Sequence, residues 1–138
     1  MFIPKKVKFR KWQTKRKNLS KIKFDTRGLS LAFGSHGVKS QDYARVTPNQ
    51  LEAGRRVIAR HIKKTGKMWV RVFPDRPFTK KPAEVKMGKG KGNPEGYCAE
   101  VRPGRIVFEL DGLPDKEARD VLRKAAAKLP VRTKIITR

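Results

Sequence analysis

From residue 47 onward, the apolar positions of this 138-residue chain keep two distinct periods, and the switches between them outline the elements. Over residues 47–65 the spacing is helical. Leu51, Val57, Ile58, His61 and Ile62 share one half of the wheel, and Arg55, Arg56, Arg60, Lys63 and Lys64 share the other. Thr47 suits the N-cap, Pro48 the first helical position, and Gln50 stands where a capping box needs it. Gly66 can take the left-handed conformation that ends such a helix. Strict alternation follows over 67–73, with Met68, Val70 and Val72 on one face and Trp69, Arg71 and Phe73 on the other. Two further runs, 97–102 and 105–110, flank Pro103-Gly104 and predict a hairpin. A second helix is expected over 115–128, where Ala118, Val121, Leu122, Ala125 and Leu129 hold one face and Pro130 stops the run. A last strand is expected over 131–137. Two helices packed on a mostly antiparallel sheet make an α+β domain.

Two stretches have no sustained period. Residues 1–28 read as an extended basic arm, with 29–138 as one domain. Phe2, Val7, Phe9, Trp12 and Phe24 are scattered among the arm's bases. These side chains can stack on unpaired bases, or they can pin the arm to its own core. Val7 and Phe9 alternate with Lys6, Lys8 and Arg10, which leaves room for a short strand there. The other stretch, 74–94, reads as a long loop between strands, and loops of that length inside a compact domain are usually functional or disordered. Its Gly88, Gly90 and Gly92 allow close backbone approach while Lys86, Lys89 and Lys91 supply charge, so phosphate is the natural counterpart. With almost nothing to bury, the loop is expected to become ordered on binding. A nucleotide-binding P-loop is not expected, because Gly92 is followed by Asn93-Pro94 rather than by Lys, Ser or Thr and a helix.

Charge decides the class of partner. The chain carries 36 Lys or Arg against 12 Asp or Glu, a net charge of +24, and self-repulsion on that scale calls for a polyanion. Ten of the bases and no acid lie in residues 1–24. Residues 95–120 hold seven acids against four bases, which predicts an acidic side carrying the hairpin and second helix. The candidate RNA contacts are Lys5, Lys6, Lys8, Arg10, Lys11, Lys15, Arg16 and Lys17 in the arm. The helix adds Arg55, Arg56, Arg60, Lys63 and Lys64 as a basic ridge, and the loop adds Lys80, Lys81, Lys86, Lys89 and Lys91.

Other chemistry is poorly served. Cys98 is the single cysteine, so a disulfide scaffold is out, and His36, His61 and Cys98 have no metal-ligand spacing. No catalytic residues, metal or cofactor are expected. His61 reads as a core residue, and Glu109, Asp111 and Asp115 as turn formers and helix N-terminal charges. The longest apolar stretches are only a few residues, far short of the ~20 that a membrane helix needs, and no secretory leader or membrane association is expected.

At this point the residues resemble a family, the bacterial large-subunit ribosomal protein sixteen family with its archaeal and eukaryotic relatives. The resemblance runs over nearly the whole chain. It rests on Pro4-Lys5, Phe9-Arg10-Lys11, Phe33-Gly34, Gln50-Leu-Glu-Ala-Gly-Arg-Arg56, Gly66-Lys-Met-Trp-Val-Arg-Val-Phe-Pro-Asp75, Met87-Gly-Lys-Gly-Lys-Gly-Asn93, Pro103-Gly104 and Lys128-Leu-Pro130. It implies a structural component of the large ribosomal subunit that binds large-subunit ribosomal RNA beside neighbouring ribosomal proteins, without forming a homo-oligomer. It also implies that Lys86, Met87, Gly88, Lys89, Gly90, Lys91 and Gly92 reach toward the peptidyl-transferase region. The loop would face transfer RNA in the aminoacyl site and the adjoining peptidyl site. A cytoplasmic rather than organellar ribosome is the expected location. Two departures stand out. Lys86 replaces the Arg of many members and lacks its planar fork, so a modification of that Arg is not carried over. Gly96-Tyr97 replaces an aromatic pair at the loop's exit. An RNA-processing or RNA-modifying enzyme using the same surface, or a basic DNA-binding protein, are the alternatives.

Overall fold

The structure is a computed structural model and describes residues 2–13, 18–62 and 64–138. Its elements run β1 (His36–Ser40), β2 (Ala44–Val46), α1 (Pro48–Ile62), β3 (Lys67–Val70), β4 (Arg76–Lys80), β5 (Asn93–Val101), β6 (Ile106–Asp111), α2 (Asp115–Ala126) and β7 (Thr133–Thr137). The strands form a four-stranded sheet ordered β3-β6-β1-β7 and a three-stranded sheet ordered β2-β5-β4, antiparallel throughout. The expected α+β class holds.

Both helices appear where the periodicity places them. The capping box of α1 closes reciprocally, with the Thr47 N–H donating to Gln50 Oε1 at 2.9 Å and the Gln50 N–H to Thr47 Oγ1 at 3.4 Å. Leu51, Ile58 and Ile62 of α1 meet Ala118, Leu122 and Ala125 of α2 in one core with Val38, Phe108 and Leu110 of the larger sheet. His61 is half-buried, and its Nδ1 donates to the Val57 carbonyl at 2.7 Å. In α2, Asp115 and Glu117 sit in the first turn, where they oppose the helix dipole.

Gly54 sets the distance between α1 and the sheet. A Cβ there would stand 2.7 Å from the buried Phe108 ring. Gly54→Val should therefore destabilise the fold by about 1–3 kcal/mol. The check is urea unfolding, with the midpoint falling and the slope unchanged; an unmoved midpoint would contradict this packing.

The strand pattern needs three corrections. Residues 97–102 and 105–110 do not form a hairpin: β5 pairs with β2 and β4, whereas β6 lies between β3 and β1. The turn at Pro103-Gly104 is real, with the Arg105 N–H donating to the Arg102 carbonyl at 3.2 Å, but it is a corner between two sheets. There, Gly104 and Ser40 hold the corner to β1, the Gly104 N–H donating to the Ser40 carbonyl at 2.7 Å. Secondly, the loop expected over 74–94 contains β4 and the start of β5, leaving 74–75 and 81–92 outside strands. Pro77 made 76–80 look like a break, yet β4 is an edge strand, where a residue without an N–H is tolerated. Thirdly, β1 and β2 were not expected, although β1 is an interior strand of its sheet. The smaller shifts lie at ends. The strand expected over 67–73 stops at Val70, α1 and α2 stop at Ile62 and Ala126, and β7 begins at Thr133. No strand forms at Val7 and Phe9.

Candidate nucleic-acid interface

Most carboxylates of the described residues face bases of the body. Glu100 pairs with Arg76 and, at 3.4 Å, with Arg45; Asp42 pairs with Arg132, Asp115 with Arg119 and Asp120 with Lys124, each of these at 2.8 Å. Of the seven acids expected on one side over 95–120, Glu109 is fully buried and Glu100 mostly so, while Glu95, Asp111, Asp115, Glu117 and Asp120 are exposed. Among the described residues, exposed bases without a carboxylate partner occur in the three segments singled out by sequence and also on the body, at Lys67, Lys116, Arg123, Lys128 and Lys134, while Lys80 of the loop pairs with Glu95 at 3.7 Å.

The ridge on α1 is weaker than expected at its start. Glu52 accepts from Arg55 at 2.6 and 2.8 Å and from Arg56 at 3.1 Å. The hydrogen bond from Arg55, with Arg56 behind it, holds the Glu52 carboxyl down at about 2. Glu52 thus neutralises part of two of the five ridge positions. Arg60 and Lys64 are exposed and have no carboxylate partner among the described residues. Lys63 lies outside the described residues.

In the loop, Gly88, Lys89 and Gly90 take φ of +99°, +53° and +100°, a curl in the left-handed region that glycine makes accessible. Nothing stands within 4 Å of a Cβ built at Gly88 or Gly90, so this curl presents open backbone. Lys81 donates to the Gly88 carbonyl across the loop. Met87 is 91% exposed, and Lys86 and Lys89 project without a partner among the described residues.

The arm lies against the same end of the molecule. Lys91 donates to the Trp12 carbonyl, Arg76 Nη2 donates to the Gln13 carbonyl at 3.2 Å, and the Arg76 guanidinium stands 5.6 Å from the Trp12 ring. Trp12, Arg45, Arg76, Phe78 and Cys98 border a cleft of about 250 Å³ there. Burial pushes the Cys98 thiol up, away from a reactive thiolate. Of the two roles open to the arm's aromatics, pinning applies to Phe2, which packs against the core and edge-on to Phe73 at 6.5 Å. Phe9 and Phe24 remain 58% and 74% exposed. Lys5, Lys6, Lys8, Arg10 and Lys11 are exposed; Lys15, Arg16 and Lys17 lie outside the described residues. Arm and loop thus adjoin through Trp12 and Lys91.

Sequence reading gave Glu109 the wrong task. It faces inward from β6, accepts from the N–H groups of Ala32, Phe33 and Gly34 at 3.1, 2.7 and 2.8 Å, and pairs with Arg71. Burial alone would raise its pKa, but those four partners overcome it and hold the carboxyl below the usual range. Asp115 does take the helix N-terminal position, and Asp111 accepts from the Ser35 hydroxyl at 2.9 Å.

Residues 4–136 match the model of the family described as Ribosomal protein L16p/L10e. The chain belongs to this family. It is 53% identical over its full length to the Large ribosomal subunit protein uL16 of Acidovorax sp. (strain JS42), covering 97% of that protein. The protein of that name from Maricaulis maris (strain MCS10) is 52% identical over 139 residues, with 100% of this chain and 98% of the relative covered. The chain is therefore a ribosomal protein of the large subunit, a structural component and not an enzyme. Its uncompensated cations are those of a ribonucleoprotein component. The enzyme reading of the same surface has no support.

Proposed function

We propose that the protein binds large-subunit ribosomal RNA through three cationic segments and so holds RNA helices close to one another. The arm of residues 1–28 would lie along RNA with Lys5, Lys6, Lys8, Arg10 and Lys11, while residues 29–138 form the body. Arg60 and Lys64, with Arg55 and Arg56 beside them, would meet a second stretch of backbone. The loop would carry Lys80, Lys81, Lys86, Lys89 and Lys91, its tip from Lys86 to Gly92 facing transfer RNA in the aminoacyl site and the adjoining peptidyl site. Neighbouring large-subunit proteins would be its protein partners, in a cytoplasmic ribosome and as a single copy.

The observation that carries this reading is the placement of charge: Lys5, Lys6, Lys8, Arg10 and Lys11 of the arm, Arg60 and Lys64 of the ridge, and Lys86 and Lys89 of the loop are exposed with no carboxylate partner among the described residues. Exposed ion pairs of the body, such as Asp120–Lys124, contribute little to stability. If about eight phosphates are neutralised, affinity for isolated large-subunit RNA should fall with salt at a log–log slope of roughly −6 to −7. A titration between about 50 and 200 mM salt measures it, and affinity that stays flat would overturn the proposal. Duplex DNA at matched salt serves as the comparison, since a preference for DNA would contradict an RNA site.

A further inference from the structure

Phe33 is an aromatic ring held in place without being covered. It stacks on Trp69 with centroids 5.7 Å apart and planes 20° from parallel, and the Arg71 guanidinium stands 5.2 Å from its centroid. Trp69 and Arg71 are two residues apart in β3 and its continuation, and both contact the ring. The ring is nevertheless 57% exposed.

The backbone beneath it is fixed from the inside. Glu109, fully buried, binds the N–H groups of Ala32, Phe33 and Gly34 and neutralises Arg71. The segment is also pressed onto β6, because a Cβ at Gly34 would stand 2.6 Å from the Leu110 carbonyl oxygen. Aromatic rings are ordinarily driven into the interior, and buried carboxylates are rare unless paired. Here a buried carboxylate orders an exposed ring. A ring ordered in advance loses little freedom when something stacks on it.

We propose that Phe33, backed by Trp69 and flanked by Arg71, is a stacking platform for one unpaired nucleobase of structured RNA. This rests on the ribosomal-RNA reading above and adds to it a contact that reads a base face rather than phosphate. The choice of occupant follows from chemistry: every base has a π face that matches the ring. The chain's net charge of +24 favours association with RNA.

The test compares the full chain and its variants on isolated large-subunit RNA across a salt series. Phe33→Ala and Phe33→Leu should each weaken binding about tenfold or more at fixed salt, the loss typical of one stacked base. Phe33→Trp should bind as the wild type does. The salt slope should stay the same in all three, since no phosphate contact is removed. Thermal melts identify a variant that fails to fold, and if Phe33→Ala does, Phe33→Leu decides. Wild-type affinity in Phe33→Leu would show that any apolar cover suffices and would overturn the platform. A wild-type chain whose binding ignores salt would instead overturn the RNA reading itself. In assembled subunits, a photocrosslinking Phe33→p-benzoylphenylalanine chain should label a nucleotide; labelling only a neighbouring protein would refute the proposal.

Discussion

Replacing Glu109 by Ala should cost the protein about 3–5 kcal/mol, the loss expected when one partner of a buried ion pair is removed. The substitution leaves the Arg71 guanidinium, only 21% exposed, without its counter-charge and removes the acceptor of three backbone N–H groups. At this chain length that corresponds to a melting temperature lower by about 10 °C or more. Glu109→Gln keeps one acceptor oxygen and should fall between the two. Acid should act through the same group. The folded-state pKa of Glu109 lies below its ordinary value, so its contribution is complete above the unfolded value of about 4.3 and disappears as pH falls through the lower folded value. Wild-type melts should therefore be level from about pH 7 to 5 and decline below about 4. Asp42, Asp111, Asp115 and Asp120 are also lowered by their partners, so the decline that matters is the part missing from Glu109→Ala. Melting within about 3 °C of wild type, with the same acid decline, would show that the pair holds nothing together.

Deleting residues 1–24 should reduce RNA binding more than any single substitution while leaving the body folded. The deletion removes ten bases and no acid. If half of those bases contact phosphate, the salt slope should become shallower by roughly 3.5 to 4.5, and affinity near 0.15 M salt should drop on the order of a hundredfold or more. The deletion gives up the contacts of Phe2, Trp12 and Gln13, but the hydrogen bonds that tie the backbone of residues 25–28 to the body lie past the cut. The Asp25 N–H donates to the Pro103 carbonyl at 2.9 Å, Arg105 Nη1 donates to the Arg27 carbonyl at 2.9 Å, and the Ile106 N–H donates to the Gly28 carbonyl at 2.9 Å. Loss of Phe2 from the core edge should lower the melting temperature only slightly. Circular dichroism distinguishes the outcomes: a collapsed spectrum would mean that the arm is part of the body, and an unchanged salt slope would remove it from the interface.

The helices were legible in the sequence because each carries its own signal. In α1 an amphipathic period coincides with a capping box, and in α2 the apolar face is flanked by acids at the start and Pro130 at the end. Strands carry less. In β1, His-Gly-Val-Lys-Ser offers one aliphatic residue, and it is a strand because β6 and β7 flank it, which is tertiary information. Pro103-Gly104 specifies that the chain turns, but not which strands pair on either side. The interface was legible as charge, since composition alone separates arm, ridge and loop. What charge could not reveal was compensation: Glu52 sits on the ridge and clamps two of its arginines at spacings of three and four. Glu109 was misread because an acid beside a turn ordinarily faces water. Only the fold shows that residues 32–34 come to it from more than 70 positions away.

The position of β1 also bears on how the protein is made. Its neighbours are β6, about 70 residues later, and β7, which ends at the penultimate residue. A chain emerging from its own synthesis therefore carries β1 with one edge unpaired from the time β6 is made until β7 is made, and for that interval the exposed edge is open to pairing with another chain. Lys39, within β1, puts a charge on that edge, and a charged edge disfavours strand pairing between chains until β7 closes the sheet.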